Sequence, residues 1–218
     1  MVSFLYQFRG AKLRYRTEKL DFPTTPDIPP LDWKYTLYGN PLKQLPLNAP
    51  QPLGESVQLT TFYDANLMHN MLSGRLVTGF LHFWNKTPMD WYIKKQKTSE
   101  TATYGSKFLA CGTAFKHIVA DRNYLRYLCV PIKILSYVFG DNESQIGSCV
   151  VPKSKLNKRH NILSYHFVQN IIACKFVNLQ HIASEWNMAD IVSKHWSYQK
   201  VYKKILKPIL HFKVIGIR

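Results

Sequence analysis

No run in this 218-residue sequence reaches the ~18 to 20 consecutive apolar residues that a membrane-crossing helix needs. Its first residues, Met1-Val-Ser-Phe-Leu-Tyr-Gln-Phe-Arg9, lack the layout of a secretory signal. Cysteine is scarce. The four present, Cys111, Cys129, Cys149 and Cys174, show no Cys-x-x-Cys spacing, and each sits among apolar neighbours. They read as buried free thiols in a reducing compartment, cytoplasmic or nuclear, and their spacing argues against zinc. His160 and His166 do not share a helix face and make no better metal pair. No internal repeat is visible. Acid is scarce too: 13 Asp and Glu stand against 29 Lys and Arg, a formal charge of +16. That surplus suits a phosphate backbone, an anionic membrane or an acidic partner and says nothing of fold. Basic residues interleaved with aromatics inside patterned segments favour nucleic acid; a merely soluble basic protein is the alternative.

What is present is enough for one good-sized core, or one domain with an appendage. An apolar share of 46% with 14% aromatics is that of a globular chain. Lys12-Leu-Arg-Tyr-Arg16 alternates as a half-exposed strand with one cationic face, which serves equally as a charge-protected edge. With no partner strand obvious beside it, the chain reads as a fragment of something longer. Residues 21–56 hold eight of the 12 prolines and read as a linker wrapping a surface, with room for one short helix, Leu31 to Tyr38.

From Val57 the period becomes two. Val57 to Asp64, Leu76 to Trp84 and Met89 to Ile93 read as three strands of a meander, with Asp64 on the face opposite Val57 and Leu59. A long helix over about 102–128 follows from the stripe Tyr104, Phe108, Cys111, Phe115, Ile118, Leu125 and Leu128; Asp121-Arg-Asn123 is expected to loosen its middle. The fourth strand covers 136–140, and Gln145 begins a helical pattern. A helix over about 160–174, a strand Phe176 to Ile182, a short helix start in Glu185 to Lys194 and a Pro208-broken helix from Tyr202 to Leu210 complete the order. The pattern fits a mixed five-stranded sheet with helices packed on it.

Phe139-Gly-Asp141-Asn-Glu-Ser144 places a carboxylate at a strand tip before a helix, a position suited to Mg²⁺ and equally to an ordinary turn. Asp64, Asp141 and Asp190 fall at corresponding places. If the first and fourth strands of the sheet are neighbours, these three converge, and converging carboxylates repel unless a cation sits between them. Taken singly, each reads as a cap or turn residue.

In Tyr63-Asp-Ala-Asn66, Thr98-Ser-Glu-Thr-Ala-Thr-Tyr-Gly-Ser106, Phe139-Gly-Asp-Asn-Glu-Ser144, Lys158-Arg-His-Asn-Ile-Leu-Ser164 and Ala189-Asp-Ile-Val-Ser-Lys194, the chain resembles the ribonuclease H region of copia-type LTR-retrotransposon Pol polyproteins. The resemblance covers about residues 57–197. It implies an α/β ribonuclease H-like fold, and cleavage of RNA in RNA–DNA hybrids by two Mg²⁺ (or Mn²⁺) ions on an Asp-Glu-Asp-Asp set. It also implies other Pol segments as partners and no membrane. Residues 1–56 look like the tail and connection of a preceding reverse transcriptase, and 198–218 like a helical tail. No reverse-transcriptase palm, integrase zinc-binding or protease motif is present.

By motif, Asp64, Asp141 and Asp190 take the three aspartate places as metal ligands. Where the family pattern has its glutamate, this chain has Lys107. Lys107 lies at the edge of the long helix's inner stripe and is expected to point at the aspartates, pairing with Asp64 or Asp141 and disabling the chemistry. Glu100, ~10 Å away along the axis, and Glu143 do not replace the lost acid. Lys94, Lys95 and Lys97, with Lys153, Lys155, Lys158, Arg159 and His160, are expected to form a cationic rim that follows a hybrid's backbone. His160 reads as a proton shuttle or as a structural residue, and His166 as packing. Trp91, Trp186 and Trp196 read as packing residues.

Overall fold

The computed structural model describes residues 11–13, 15–20, 31–39, 41, 46–66, 76–96, 103–133, 135–154, 162–194 and 210–212. In chain order its elements are β1 (Ala11–Leu13), β2 (Leu59–Asn66), β3 (Val77–Trp84), β4 (Thr87–Lys95), α1 (Thr103–Tyr127), β5 (Ser136–Gly140), α2 (Glu143–Val150), α3 (Ile162–Ala173), β6 (Val177–His181), a 3₁₀ turn (Ser184–Trp186), α4 (Asp190–Ser193) and β7 (Leu210–Phe212). From β2 to α4 this is the order that the residue patterning predicts.

Five strands form one sheet in the order β4-β3-β2-β5-β6. β2, β3 and β4 are the antiparallel meander, and β2–β5 and β5–β6 pair in parallel. The expected adjacency of the first and fourth strands of the domain is therefore present. Its register matters: Phe62 stands opposite Phe139, so Asp64 and Asp141 both lie two residues beyond the same rung. This mixed sheet with flanking helices is the ribonuclease H-like architecture.

Alternation along the strands supplies two apolar faces. On one, Leu59, Tyr63, Phe80, Val138 and Leu179 pack under α1 and α3, meeting Phe108, Cys111, Phe115, Ile118 and Val168. On the other, Phe62, Leu81, Phe83, Phe139 and Ile182 form a smaller cluster closed by Ala189, just ahead of α4. Phe62 stacks on Phe139 at 5.3 Å, across the parallel rung that levels the two aspartates. Gly79 lets α4 lie against β3, because a Cβ there would stand 2.9 Å from Val192 Cγ2. The buried Arg122 of α1 donates to Ser136 Oγ at 2.7 Å and lies over the Phe176 ring, tying the helix to the start of β5.

Several expectations are corrected. α1 runs unbroken through Asp121-Arg-Asn123, because Arg122 turns inward to the β5 bond instead of outward. Leu128 lies past its end and is exposed. Leu31 to Tyr38 forms turns, not a helix; Trp33 anchors it by burial, and the Tyr38 hydroxyl meets His166 Nδ1 at 2.5 Å. That contact gives His166 the packing role expected of it. Leu210 opens β7 instead of closing a helix, and β7 is the antiparallel partner of β1. Residues 202–209 lie outside the described set. All four cysteines are free; Cys111 and Cys149 are buried, whereas Cys129 and Cys174 are half-buried. No helix among the described residues is long and apolar enough to cross a membrane.

Candidate functional site

At the ends of β2 and β5 the chain brings three aspartates and two lysines together. Asp64 projects from β2 on the α4 face and is fully buried. Asp141 follows Gly140, where a side chain is excluded because an added Cβ would collide with the Tyr63 ring. Asp190 opens α4 and is 8% exposed.

Lys107, one turn into α1, reaches over the sheet edge into this group. Its Nζ lies 2.5 Å from Asp141 Oδ1 and 3.4 Å from Asp64 Oδ1. A second lysine, Lys194, places its Nζ 2.7 Å from Asp190 Oδ1 and 3.5 Å from Asp64 Oδ2. Negative and positive charges therefore alternate from Asp141 through Lys107, Asp64 and Lys194 to Asp190. Ser193 Oγ donates to Asp64 Oδ2 at 2.8 Å, and Ser184 Oγ donates to Asp141 Oδ2 at 3.1 Å. Asn187, buried, donates to the Tyr63 carbonyl and fixes the segment before α4 over β2.

This arrangement does not fit a pair of divalent ions. Asp64 Oδ1 and Oδ2, Asp141 Oδ1 and Asp190 Oδ1 each face an ammonium already, and the position that would supply another carboxylate supplies Lys107. Mg²⁺ needs oxygen ligands close to octahedral geometry, and an amine nitrogen in its place offers only repulsion while protonated. Glu143 is no substitute: its carboxylate is exposed and stands 3.7 Å from His181 Nδ1. Glu100 lies outside the described residues.

Burial pushes the Asp190 carboxyl up to about 6, with the charges of Asp64 and Asp141 adding to the rise and the Lys194 hydrogen bond opposing it. The folded value thus exceeds the ordinary ~3.9 of an unfolded aspartate. The folded state holds this proton more tightly, so the associated stability is complete below about pH 4 and is lost as pH rises through 6. Asp190→Asn should therefore gain on the native chain between pH 4.5 and 7.5 when urea midpoints are compared. Parallel midpoint profiles would refute the shift.

Of the expected cationic rim, Lys94 and Lys95 are exposed at the end of β4. Lys94 pairs with Thr78, next to the Gly79 that faces Asp64, so this end of β4 flanks the acidic group. Lys153 is exposed beyond the far end of α2, ~12 Å of helix from the Asp141 side. Lys97, Lys155, Lys158, Arg159, His160 and Trp196 lie outside the described residues. Trp91 and Trp186 are not core residues; they are 54% and 43% exposed. Period-two alternation accounts for Trp91, which with Met89 and Ile93 faces outward from edge strand β4. Residue patterning also missed Lys194 and Ser193. Their available signal was the four-residue step from Asp190 to Lys194 on a helix start, which places opposite charges on one face.

No family model matches the chain. In sequence it is 20% identical over 155 residues to the Retrovirus-related Pol polyprotein from transposon RE2 of Arabidopsis thaliana. That match takes in 70% of this chain, which spans about 11% of the relative's length. Among solved structures it resembles the N-terminal RNase H domain of a Mycobacterium tuberculosis protein (TM-score 0.49, 12% identity, 63% of this chain and 91% of that one). RNase H1 of the halophilic archaeon Halobacterium salinarum is similar at TM-score 0.46 and 9% identity, over 62% of this chain and 94% of that one. The protease-reverse transcriptase of prototype foamy virus is similar at TM-score 0.39 and 15% identity, over 73% of this chain and 23% of that one. On its strand order the chain has a ribonuclease H-like fold, and on its motifs and aligned sequence it is similar to copia-type Pol polyproteins.

Proposed function

We propose that this is a retroelement-derived ribonuclease H-type domain that binds RNA–DNA hybrids and whose hydrolytic chemistry is suppressed by Lys107. The observation that carries the reading is the Lys107 ammonium, 2.5 Å from Asp141 and 3.4 Å from Asp64. Hydrolysis of a phosphodiester on such a site would need Asp64, Asp141 and Asp190 free to hold Mg²⁺ or Mn²⁺, and all three are engaged by lysines. The ammoniums also lower the negative field that would gather divalent ions. A hybrid would be held by its phosphates and 2′-hydroxyls, through Lys94 and Lys95 and the other rim cations. The second reading, a nucleic-acid-binding remnant with no latent activity, differs in what Lys107→Glu does.

The test is cleavage of a hybrid labelled on its RNA strand, with Mg²⁺ or Mn²⁺, beside hybrid binding at graded salt. The native chain should bind with affinity that falls steeply as salt rises and should show no turnover. Lys107→Glu should recover part of the activity. Equal cleavage rates for the two chains would sink the Lys107 reading, and salt-indifferent binding would sink the cationic rim.

A further inference from the structure

The sheet carries a second cluster of metal-binding side chains, on the face away from Asp64. His82 lies on β3 with its ring on the α1 side, Asp90 is its paired residue on β4, and His117 comes down from α1. One ligand atom from each of the three lies within 4.8 Å of the others. His117 Nδ1 is already 3.6 Å from Asp90 Oδ2. Two ligands at ~2.0–2.2 Å from one tetrahedral ion stand at a comparable separation. The His117 ring is held by aromatic neighbours, Phe80 at 4.7 Å and Tyr92 at 5.5 Å between centroids.

What separates this group from an ordinary surface ion pair is His82. It is 2% exposed, and its Nδ1 lies 2.5 Å from Thr61 Oγ1. Its Nε2, on the far edge of the ring from Thr61, is buried without a hydrogen-bond partner. A neutral imidazole that donates Nδ1–H to an orienting oxygen leaves a bare lone pair on Nε2, the form in which histidine binds metals.

We propose that His82 Nε2, His117 and Asp90 Oδ2 bind one zinc-class divalent ion, with water completing the coordination. Two imidazoles and a carboxylate match zinc rather than magnesium or calcium, which prefer oxygen. The ion would clamp α1 to the β3–β4 hairpin, ~15 Å along α1 from Lys107. It is independent of the aspartate–lysine group and of any hydrolytic activity.

The experiment uses the full chain, stripped with chelator and kept reduced, without nucleic acid. Calorimetric titration with Zn²⁺ should give one site. Co²⁺ in its place should give visible d–d absorption without a thiolate charge-transfer band. His117→Ala and Asp90→Asn, both at partly exposed positions and checked for folding by circular dichroism, should each weaken Zn²⁺ binding about tenfold or more. Asp141→Asn should leave it unchanged. Absence of Zn²⁺ binding, a thiolate band, unchanged affinity in both ligand variants, or loss of binding in Asp141→Asn would each overturn the proposal.

Discussion

Lys107→Met, measured in metal-free buffer, is expected to cost about 3–5 kcal/mol of stability, the penalty for leaving buried charges without their partner. The side chain is 14% exposed, and the carboxylates that it bridges are 0% and 5% exposed. Methionine fills the same space, so lost packing contributes little. What remains is two carboxylates at one level of a parallel strand pair, with little water between them. Adding Asp141→Asn should return much of the loss, because it removes one of the two facing charges. Lys107→Glu should be less stable still in metal-free buffer, and its Tm should rise on adding Mg²⁺, which avoids imidazole ligands, while that of the native chain stays put. Urea midpoints and thermal melts read both effects. A Lys107→Met variant within about 0.5 kcal/mol of the native chain would mean that the ion pair contributes nothing measurable.

Gly140→Ala should be comparably damaging for a different reason. The added methyl would collide with Cζ and the hydroxyl oxygen of Tyr63, and that ring cannot step aside. Tyr63 is 1% exposed, and its hydroxyl donates to Gln145 Oε1 at 2.5 Å, tying the end of β2 to α2. The Gln145 backbone N–H in turn donates to Asn142 Oδ1 at 2.8 Å, the cap of α2. Overpacking of this kind costs about 3 kcal/mol, and here it also displaces the strand tip that presents Asp141. Shrinking the clashing partner should help: Tyr63→Leu combined with Gly140→Ala should be less damaging than the sum of the single changes, read as a coupling energy from urea unfolding. Additive losses would refute the Tyr63 clash as the cause.

Much of the fold is legible because its elements are long and strongly periodic. The meander alternates, and the stripe Phe108, Cys111, Phe115, Ile118 and Leu125 fixes the inner face of α1; all five are fully or almost fully buried. The inward aim of Lys107 follows from its place at the border of that stripe. What was not legible depends on contacts between distant segments. β1 finds its partner in β7, some two hundred residues on, in a stretch that local patterning reads as helix. His82, Asp90 and His117 come from three elements, with no spacing to announce them. The inward turn of Arg122 is likewise hidden, since nothing local distinguishes a guanidinium that bonds Ser136 from one that faces water.

The central place of β2 also governs the order in which this chain organises itself. Its link to β3 is a hairpin closure, whereas its parallel link to β5 closes a longer loop that contains α1. The Ser193–Asp64 bond spans 129 residues of sequence, so its entropy of ring closure weighs against it until the sheet stands. On closure entropy the charged cluster is expected to lock late, with its acids and amines hydrated until it does. If their dehydration falls after the barrier, it would govern how long the finished domain survives more than how quickly it forms.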